Sequence, residues 1–481
     1  MTQSSRSRFT AIWCFAPSIT NNKRDANPAG QIRRSDMFTR FLAVTGLLIT
    51  CLLSAQLSAQ DSTPSQTLIT NVMIFDGVNE AMMPGNILVT DNLIEQISPE
   101  PINAINATVV DGGGRVLTPG FIDSHTHMSL IAPFDQLENE YTAIYVGAAA
   151  GQMAEDMLMR GFTSVRDAGG ASIGVQRAID DGWFKGPRVF SSGAFITQTS
   201  GHLDMRDRTN PHAHVGGADS YAEQIGHFAA VDGEAEMLAA ARQNFRDGAT
   251  QLKLATNGGI SAVYSPLDID QFTDGELAAA AFVADSFGSY FMVHAYYDNA
   301  VTRAIDFGAR SIEHGHLMTE RVVRKMAKED VYLVVEAFMS NADAPPSFTP
   351  DQAEKMEQAL SGFTEMIEFA KKHDVKIAFG SDVFLSKEMY DFQSQEWVVR
   401  SKFFTPLENL RQATSIGGEL LALSGPRNRY KEGPLGVIQV GAYADILIIE
   451  GNPMEDITIL ADPDKNLRLI MKDGVIYKNT L

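Results

Sequence analysis

Cysteine is almost missing from this 481-residue chain: Cys14 and Cys51 are its two examples, both within the first sixty residues. The body of the protein therefore has no disulfide and no thiolate metal ligand, so any metal must rely on His, Asp, Glu or a modified residue. Basic residues are scarce too, 39 Lys+Arg against 59 Asp+Glu, for a formal charge of −20. Phosphate recognition runs on clustered Lys and Arg, so this balance argues against a nucleic-acid binder. No apolar run reaches the roughly 20 residues that a comfortable membrane-spanning helix needs. What is present is 44% hydrophobic and 20% charged. That composition excludes a disordered chain and a collagen-like repeat. At roughly 150 residues per domain, the length allows one large domain or two to three ordinary ones.

Residues 1–36 are rich in Ser, Asn and Arg and show no hydrophobic period. From Met37 the pattern changes. Arg40 precedes the apolar stretch Phe41 to Ala55, and Gln56, Leu57, Ser58, Ala59 and Gln60 follow. A positive start, a short apolar core and small residues afterwards read as a secretory signal peptide. Translation is expected to begin at Met37 and cleavage to fall near Ala59, leaving an exported protein without stable membrane insertion. A single membrane anchor is the competing reading. Residues 1–59 hold seven basic and two acidic residues, so the remainder carries 32 against 57, a formal charge of −25.

Two strand-rich pieces sit at opposite ends of the chain. Residues 67–118 alternate β-rich runs with turns. Gly436 to Val440, Ala444 to Glu450 and Leu467 to Lys472 repeat that style, the last ending in the hairpin signal Asp473-Gly474. Residues 60–118 and 426–481 are expected to form one small β-sandwich. Between them, 119–425, short apolar runs alternate with helix-length amphipathic segments such as Gly233–Asp247, Asp274–Gly288, Asn299–Gly308 and Pro350–His373. The runs are Gly120–His127, Thr163–Ala168, Arg188–Gly193, Thr250–Thr256, Phe291–Tyr296, Ser311–Gly315, Val331–Glu336 and Lys376–Asp382. Eight such units predict an α/β fold, a closed (β/α)8 TIM barrel. A doubly wound open sheet is less suited, because no Gly-rich dinucleotide fingerprint follows the first strand.

The polar residues collect where a barrel keeps its chemistry. All ten histidines lie between positions 125 and 373. His125 and His127 end the first strand two residues apart, on one face, so both imidazoles can reach one ion. Lys253 lies in the fourth strand, His294 in the fifth, His314 in the sixth and Asp382 at the end of the eighth. Imidazoles and carboxylates are good Zn²⁺ ligands, whereas an ammonium has no lone pair. A desolvated Lys253 could instead take up CO₂ as a carbamate, an anionic two-oxygen group able to bridge two metals. A buried ion pair with Asp or Glu is the plainer alternative for Lys253.

Gly-Phe-Ile-Asp-Ser-His-Thr-His, Ile-Glu-His-Gly (312–315), Gly-Ser-Asp (380–382) and the tail Ala-Asp-Ile-Leu-Ile-Ile-Glu-Gly-Asn-Pro (444–453) resemble the amidohydrolase superfamily. The resemblance covers about residues 67–478. Lys253-Leu-Ala-Thr-Asn-Gly-Gly and Val293-His294-Ala-Tyr are similar to its Xaa-Pro and Xaa-basic dipeptidase branch, with ochratoxin-type amide hydrolases nearby. The resemblance implies two Zn²⁺ bridged by carboxylated Lys253, one held by His125, His127 and Asp382, the other by His294 and His314. It implies hydrolysis of dipeptides or N-acyl amino acids, with Asp382 moving the proton. His202 matches a Gly-Gly-His segment of related dipeptidases, with Ser200 replacing the first glycine, and is the candidate oxyanion donor. Tyr264 is the second candidate for gripping substrate. A mononuclear cyclic-amide hydrolase (imidazolonepropionase-like) or deaminase on the same barrel is the alternative activity. A barrel without turnover is the third reading.

Other residues attract plainer expectations. Arg166-Asp167 reads as a structural ion pair. His212, His214 and His227 fall in a polar insertion, 203–232, that could cover the barrel mouth, and read as solvated. His316 is a ligand only if Gly315 keeps the strand extended. Arg206, Arg208 and Arg303 are the candidate cations for a substrate carboxylate. A homo-oligomer is compatible with the family.

Overall fold

The computed structural model describes residues 64–341 and 348–481; the expected signal peptide and both cysteines lie outside the described residues. Five strands open the described chain: β1 (Gln66–Ile74), β2 (Met83–Thr90), β3 (Leu93–Ser98), β4 (Thr108–Asp111) and β5 (Val116–Pro119). Asn71 adopts a left-handed φ of 56° where the register of β1 shifts. Before that bulge β1 pairs with β4, and after it with β5, both in parallel. A bulge bends a strand and increases its twist, which here lets one strand serve two neighbours.

The chain then enters β6 (Phe121–Thr126), β7 (Phe162–Asp167) and β8 (Arg188–Ser191), paired in parallel. A second parallel run holds β9 (Phe195–Thr197), β10 (Phe228–Ala230), β11 (Leu252–Ala255), β12 (Phe291–Ala295), β13 (Ser311–His314), β14 (Tyr332–Val335) and β15 (Ile377–Phe379). Thr250 N donates to Ser191 O at 2.8 Å, and Asp382 N to His125 O at 2.8 Å. These bonds join the two runs at both seams and close the barrel. The eight expected strands are all present. β9 and β10 are additional: β9 precedes the 203–232 insertion and pairs with β11, and β10, within the insertion, pairs with β9 at the sheet edge.

Burial explains why these runs form strands. Helices cover one face of each barrel strand and packed side chains fill the other, so the strands read as near-continuous apolar runs. Helix starts are written locally. Thr273 with Glu276, Thr349 with Gln352 and Thr405 with Glu408 form capping boxes, and Pro350 and Pro406 open their helices. The helical segment expected over 350–373 is two helices, Pro350–Leu360 and Phe363–Lys372. The break falls at Gly362, where a Cβ would lie 2.4 Å from the His316 carbonyl oxygen. Close backbone approach, not helix propensity, sets that boundary.

The last strands, β16 (Ile446–Ile449), β17 (Leu467–Lys472) and β18 (Val475–Asn479), run antiparallel beside β5. Both chain ends therefore share one eight-stranded sheet around a common core that includes Ile69, Ile87, Val110, Leu117, Ile446, Ile448, Leu469 and Met471. Arg188 at the start of β8 reaches out of the barrel to the carboxylates of Asp445 and Asp473, and its guanidinium lies 4.1 Å from the Tyr443 ring centroid. Among the described residues, no helix is long and apolar enough to cross a membrane.

Candidate metal centre

The carboxyl ends of the barrel strands bring His125, His127, Lys253, His294, His314 and Asp382 to one cavity. Its remaining lining includes His202, Tyr296 and Glu336, with Leu130, Phe195, Leu203, Ile260, Phe348 and Phe384. His314 and Asp382 sit at left-handed φ values of 72° and 49°. Such conformations cost of order 1–3 kcal/mol each in a non-glycine residue, and they persist where the surroundings impose them.

The hydrogen bonds fix which nitrogen each histidine presents. His125 Nδ1 donates to Glu313 Oε2 at 2.7 Å, and His127 Nδ1 donates to Gly169 O at 2.8 Å. Each Nε2 is left as a lone pair. The two lone pairs stand 3.3 Å apart, and Asp382 Oδ1 lies 3.4 Å from the first and 3.3 Å from the second. Three acceptors converging in a buried site repel one another unless a cation stands between them. Ligands at about 2.0–2.1 Å around a tetrahedral Zn²⁺ are separated by about 3.3–3.4 Å, and all three edges match. The residues fit a metal.

On the other side, His294 Nε2 donates to Gly258 O at 2.9 Å, leaving Nδ1. His314 Nδ1 donates to Glu336 at 2.9 and 3.0 Å, leaving Nε2. The two rings meet edge to face with centroids 4.7 Å apart. Burial, with Lys253 and neighbouring imidazoles adding to it, depresses the pKa of His125 well below the usual histidine range. His294 is depressed in the same way, by burial and then by His202 and His314. For His314 burial acts downward but the Glu336 carboxylate outweighs it, and the pKa rises.

Lys253 is fully buried, with Nζ 3.4 Å from His125 Nε2 and 5.2 Å from the Phe195 ring centroid. Among the described residues no carboxylate lies within ion-pair distance of it. Burial pushes its pKa down to about 8, so a useful fraction is free amine near neutral pH, the form that reacts with CO₂. The plain ion-pair expectation for Lys253 is not what the structure contains.

His202 stacks on His294, with centroids 3.9 Å apart and planes 21° from parallel. Its Nδ1 is buried without a hydrogen-bond partner, and burial first, then neighbouring cationic groups, depresses its pKa. Gln271 Oε1 accepts from His202 N at 2.7 Å and so holds the loop. Gly259 makes the space: a Cβ there would lie 1.9 Å from His202 Nδ1. Tyr264 does not line the cavity. It stands in a neighbouring outer pocket under Arg208, whose guanidinium is 4.9 Å from its ring.

Three further expectations are corrected. Arg166 does not pair with Asp167. It is fully buried and makes two 2.8 Å bonds to Glu313, while Asp167 accepts from Met128 N and Ser172 Oγ. Neighbours along a strand point to opposite faces, which is why an adjacent pair could not form. His227 is buried rather than solvated, beside Ser129 Oγ at 3.4 Å. Arg303 is engaged by Asp274 and the Phe272 carbonyl, and Arg206 by Asp204; neither lines the cavity. His316 is buried, with Nε2 3.2 Å from Glu336. Glu313 and Glu336 carried no role in the sequence reading. Glu336 ends the seventh apolar run as Asp382 ends the eighth, and that position was the available signal.

Fold and site together define a (β/α)8 enzyme with a histidine and carboxylate cluster at the barrel mouth. Residues 116–477 match the amidohydrolase family, and the chain belongs to it. It is a hydrolase of carbon–nitrogen bonds. The chain is 26% identical over 439 residues to the ochratoxinase of Aspergillus niger, covering 86% of each. It is similar to a prolidase crystallised with N-methylphosphonate-L-proline, with a TM-score of 0.78 and 30% identity over 86% of this chain and all of that one. It is also similar to a Xaa-Pro dipeptidase with bound methionine, with a TM-score of 0.74, 28% identity, and coverage of 86% of this chain and all of that one.

Proposed function

We propose that the protein is an exported binuclear zinc amidohydrolase that cleaves the amide bond of dipeptides or N-acyl amino acids. The observation that carries the metal reading is the triangle of His125 Nε2, His127 Nε2 and Asp382 Oδ1 at tetrahedral edge lengths. In this reading residues 119–425 are the catalytic barrel, and 60–118 with 426–481 are the accessory sheet. His125, His127 and Asp382 would hold one Zn²⁺, His294 and His314 the other, and carboxylated Lys253 would lie between them. Bound ions of this kind supply Lewis acidity, which acidifies water and polarises a carbonyl.

The chain's own residues do the rest. Asp382 accepts the proton of the attacking water and returns it to the departing nitrogen, first base and then acid. His202, neutral and buried beside His294, donates its ring N–H to the developing oxyanion. Leu130, Phe195, Leu203 and Phe384 limit water around the scissile bond. Export rests on the run from Arg40 to Ala59, and relatives named as a prolidase, a Xaa-Pro dipeptidase and an ochratoxinase support the substrate class. Metal analysis of purified protein should give about two zinc per chain, with hydrolysis of Xaa-Pro, Xaa-Arg/Lys or N-acyl-Phe amides. Lys253→Ala should lose most of that activity. Full activity in Lys253→Ala would refute the two-metal assignment, and one ion per chain would favour the mononuclear alternative.

A further inference from the structure

Each half of the centre has one histidine fixed by a backbone carbonyl and one fixed by a carboxylate. His127 donates to Gly169 O and His294 to Gly258 O; His125 donates to Glu313 and His314 to Glu336. The halves differ in what surrounds the carboxylate. Glu313 receives two bonds from Arg166 and one from Ser311 Oγ, at 2.8, 2.8 and 2.5 Å, so its charge is cancelled. Glu336 has no Arg or Lys within ion-pair distance among the described residues, and its partners are His314 and His316. The first half also has Asp382 as a charged ligand, whereas the histidine pair of the second half has none of its own.

We propose that Glu336 is the positioning residue of the second half: it fixes His314 with Nε2 toward the ion and supplies the negative charge that Asp382 supplies to the first. The proposal rests on the two-ion reading above. Carboxylates behind a ligating histidine orient the ring and raise its basicity, and their loss typically costs roughly 10–100-fold in metal affinity. The unusual feature here is a carboxylate paired with no Arg or Lys among the described residues, only with His314 and His316, which makes the effect specific to one ion. Glu336 also stands with His314 and His316 in a cluster whose ligand atoms lie within 4.8 Å of one another. Direct coordination by Glu336 is therefore the competing arrangement.

The test is stepwise removal of zinc from the holoprotein with a competing chromophoric chelator, with release counted per chain. Glu336→Gln should give up one equivalent at a chelator concentration roughly 10–100-fold lower than the natural protein requires, while the other equivalent stays where it was. Glu336→Asp should be intermediate, since it keeps the charge but shortens the reach. Equal weakening of both ions, or of neither, overturns the proposal. A crystal structure of the zinc-loaded natural protein is decisive even if the variants do not fold. It should show Glu336 on His314 Nδ1, and Glu336 bound to an ion, or turned to His316 alone, overturns the proposal. Uptake of only one ion by the natural protein would instead refute the two-ion reading itself.

Discussion

Replacing Arg166 with Met should unsettle the centre without touching any candidate ligand. The guanidinium is fully buried and donates to both oxygens of the fully buried Glu313, to Ser124 O at 2.6 Å, and to Ser311 Oγ and Tyr290 OH at 3.2 and 3.3 Å. Methionine keeps much of the volume but leaves the Glu313 charge unpaired, and breaking a buried ion pair from one side typically costs about 3–5 kcal/mol. The nearest relief is a proton: His125 Nδ1 already lies 2.7 Å from Glu313. A His125 imidazolium would satisfy the carboxylate but give up the Nε2 lone pair. Arg166→Met should therefore lose both stability and zinc, the zinc loss growing toward acid pH. Guanidinium unfolding curves with zinc counted at pH 6 and pH 9 would measure both. Adding Glu313→Leu removes the stranded charge and should restore part of the stability. Recovery is limited by the about 1–3 kcal/mol cost of an unpartnered His125 Nδ1–H. A single variant within about 1 kcal/mol of the natural protein, the range of an exposed pair, would refute the reasoning. So would a double variant no more stable than the single.

Other consequences follow from the same geometry. Burial pushes Lys253 from 10.5 down to about 8, so in metal-free, CO₂-depleted protein the fold is penalised below about pH 8. That penalty should be relieved by about 3 kcal/mol as pH rises from about 8 to 10.5, because the unfolded chain holds the extra proton over that window. The upward slope of unfolding free energy should vanish in Lys253→Met; an unchanged slope would count against a buried amine. Gly259→Ala should drive His202 off its stack on His294 and lower kcat by roughly 10²-fold, the scale of losing one oxyanion donor, with little change in KM. Natural kcat in Gly259→Ala would remove His202 from the reaction.

The barrel was legible because its strands are short apolar runs whose last residues carry the chemistry, as His125, Lys253, His294 and Asp382 do. Helix starts at Thr273, Thr349 and Thr405 were equally local, written in capping boxes. The features that escaped are those set by approach in space. The break at Gly362 exists because the His316 carbonyl stands there, and Arg166 finds Glu313 across the barrel rather than Asp167 next door. β9 and β10 are three residues each, too short for a period to register. Glu313 and Glu336 were hidden for a related reason. Their task is to hold a histidine from behind, and only the folded arrangement of strands reveals which histidine that is.

Diffraction from crystals of the zinc-loaded protein, recorded on both sides of the zinc absorption edge and read together with the density at Lys253 Nζ, addresses the central assignment most directly. Two anomalous peaks should appear, one against His125, His127 and Asp382 and one against His294 and His314, with a planar three-atom extension of the lysine between them. A single peak beside an unmodified amine would contradict it.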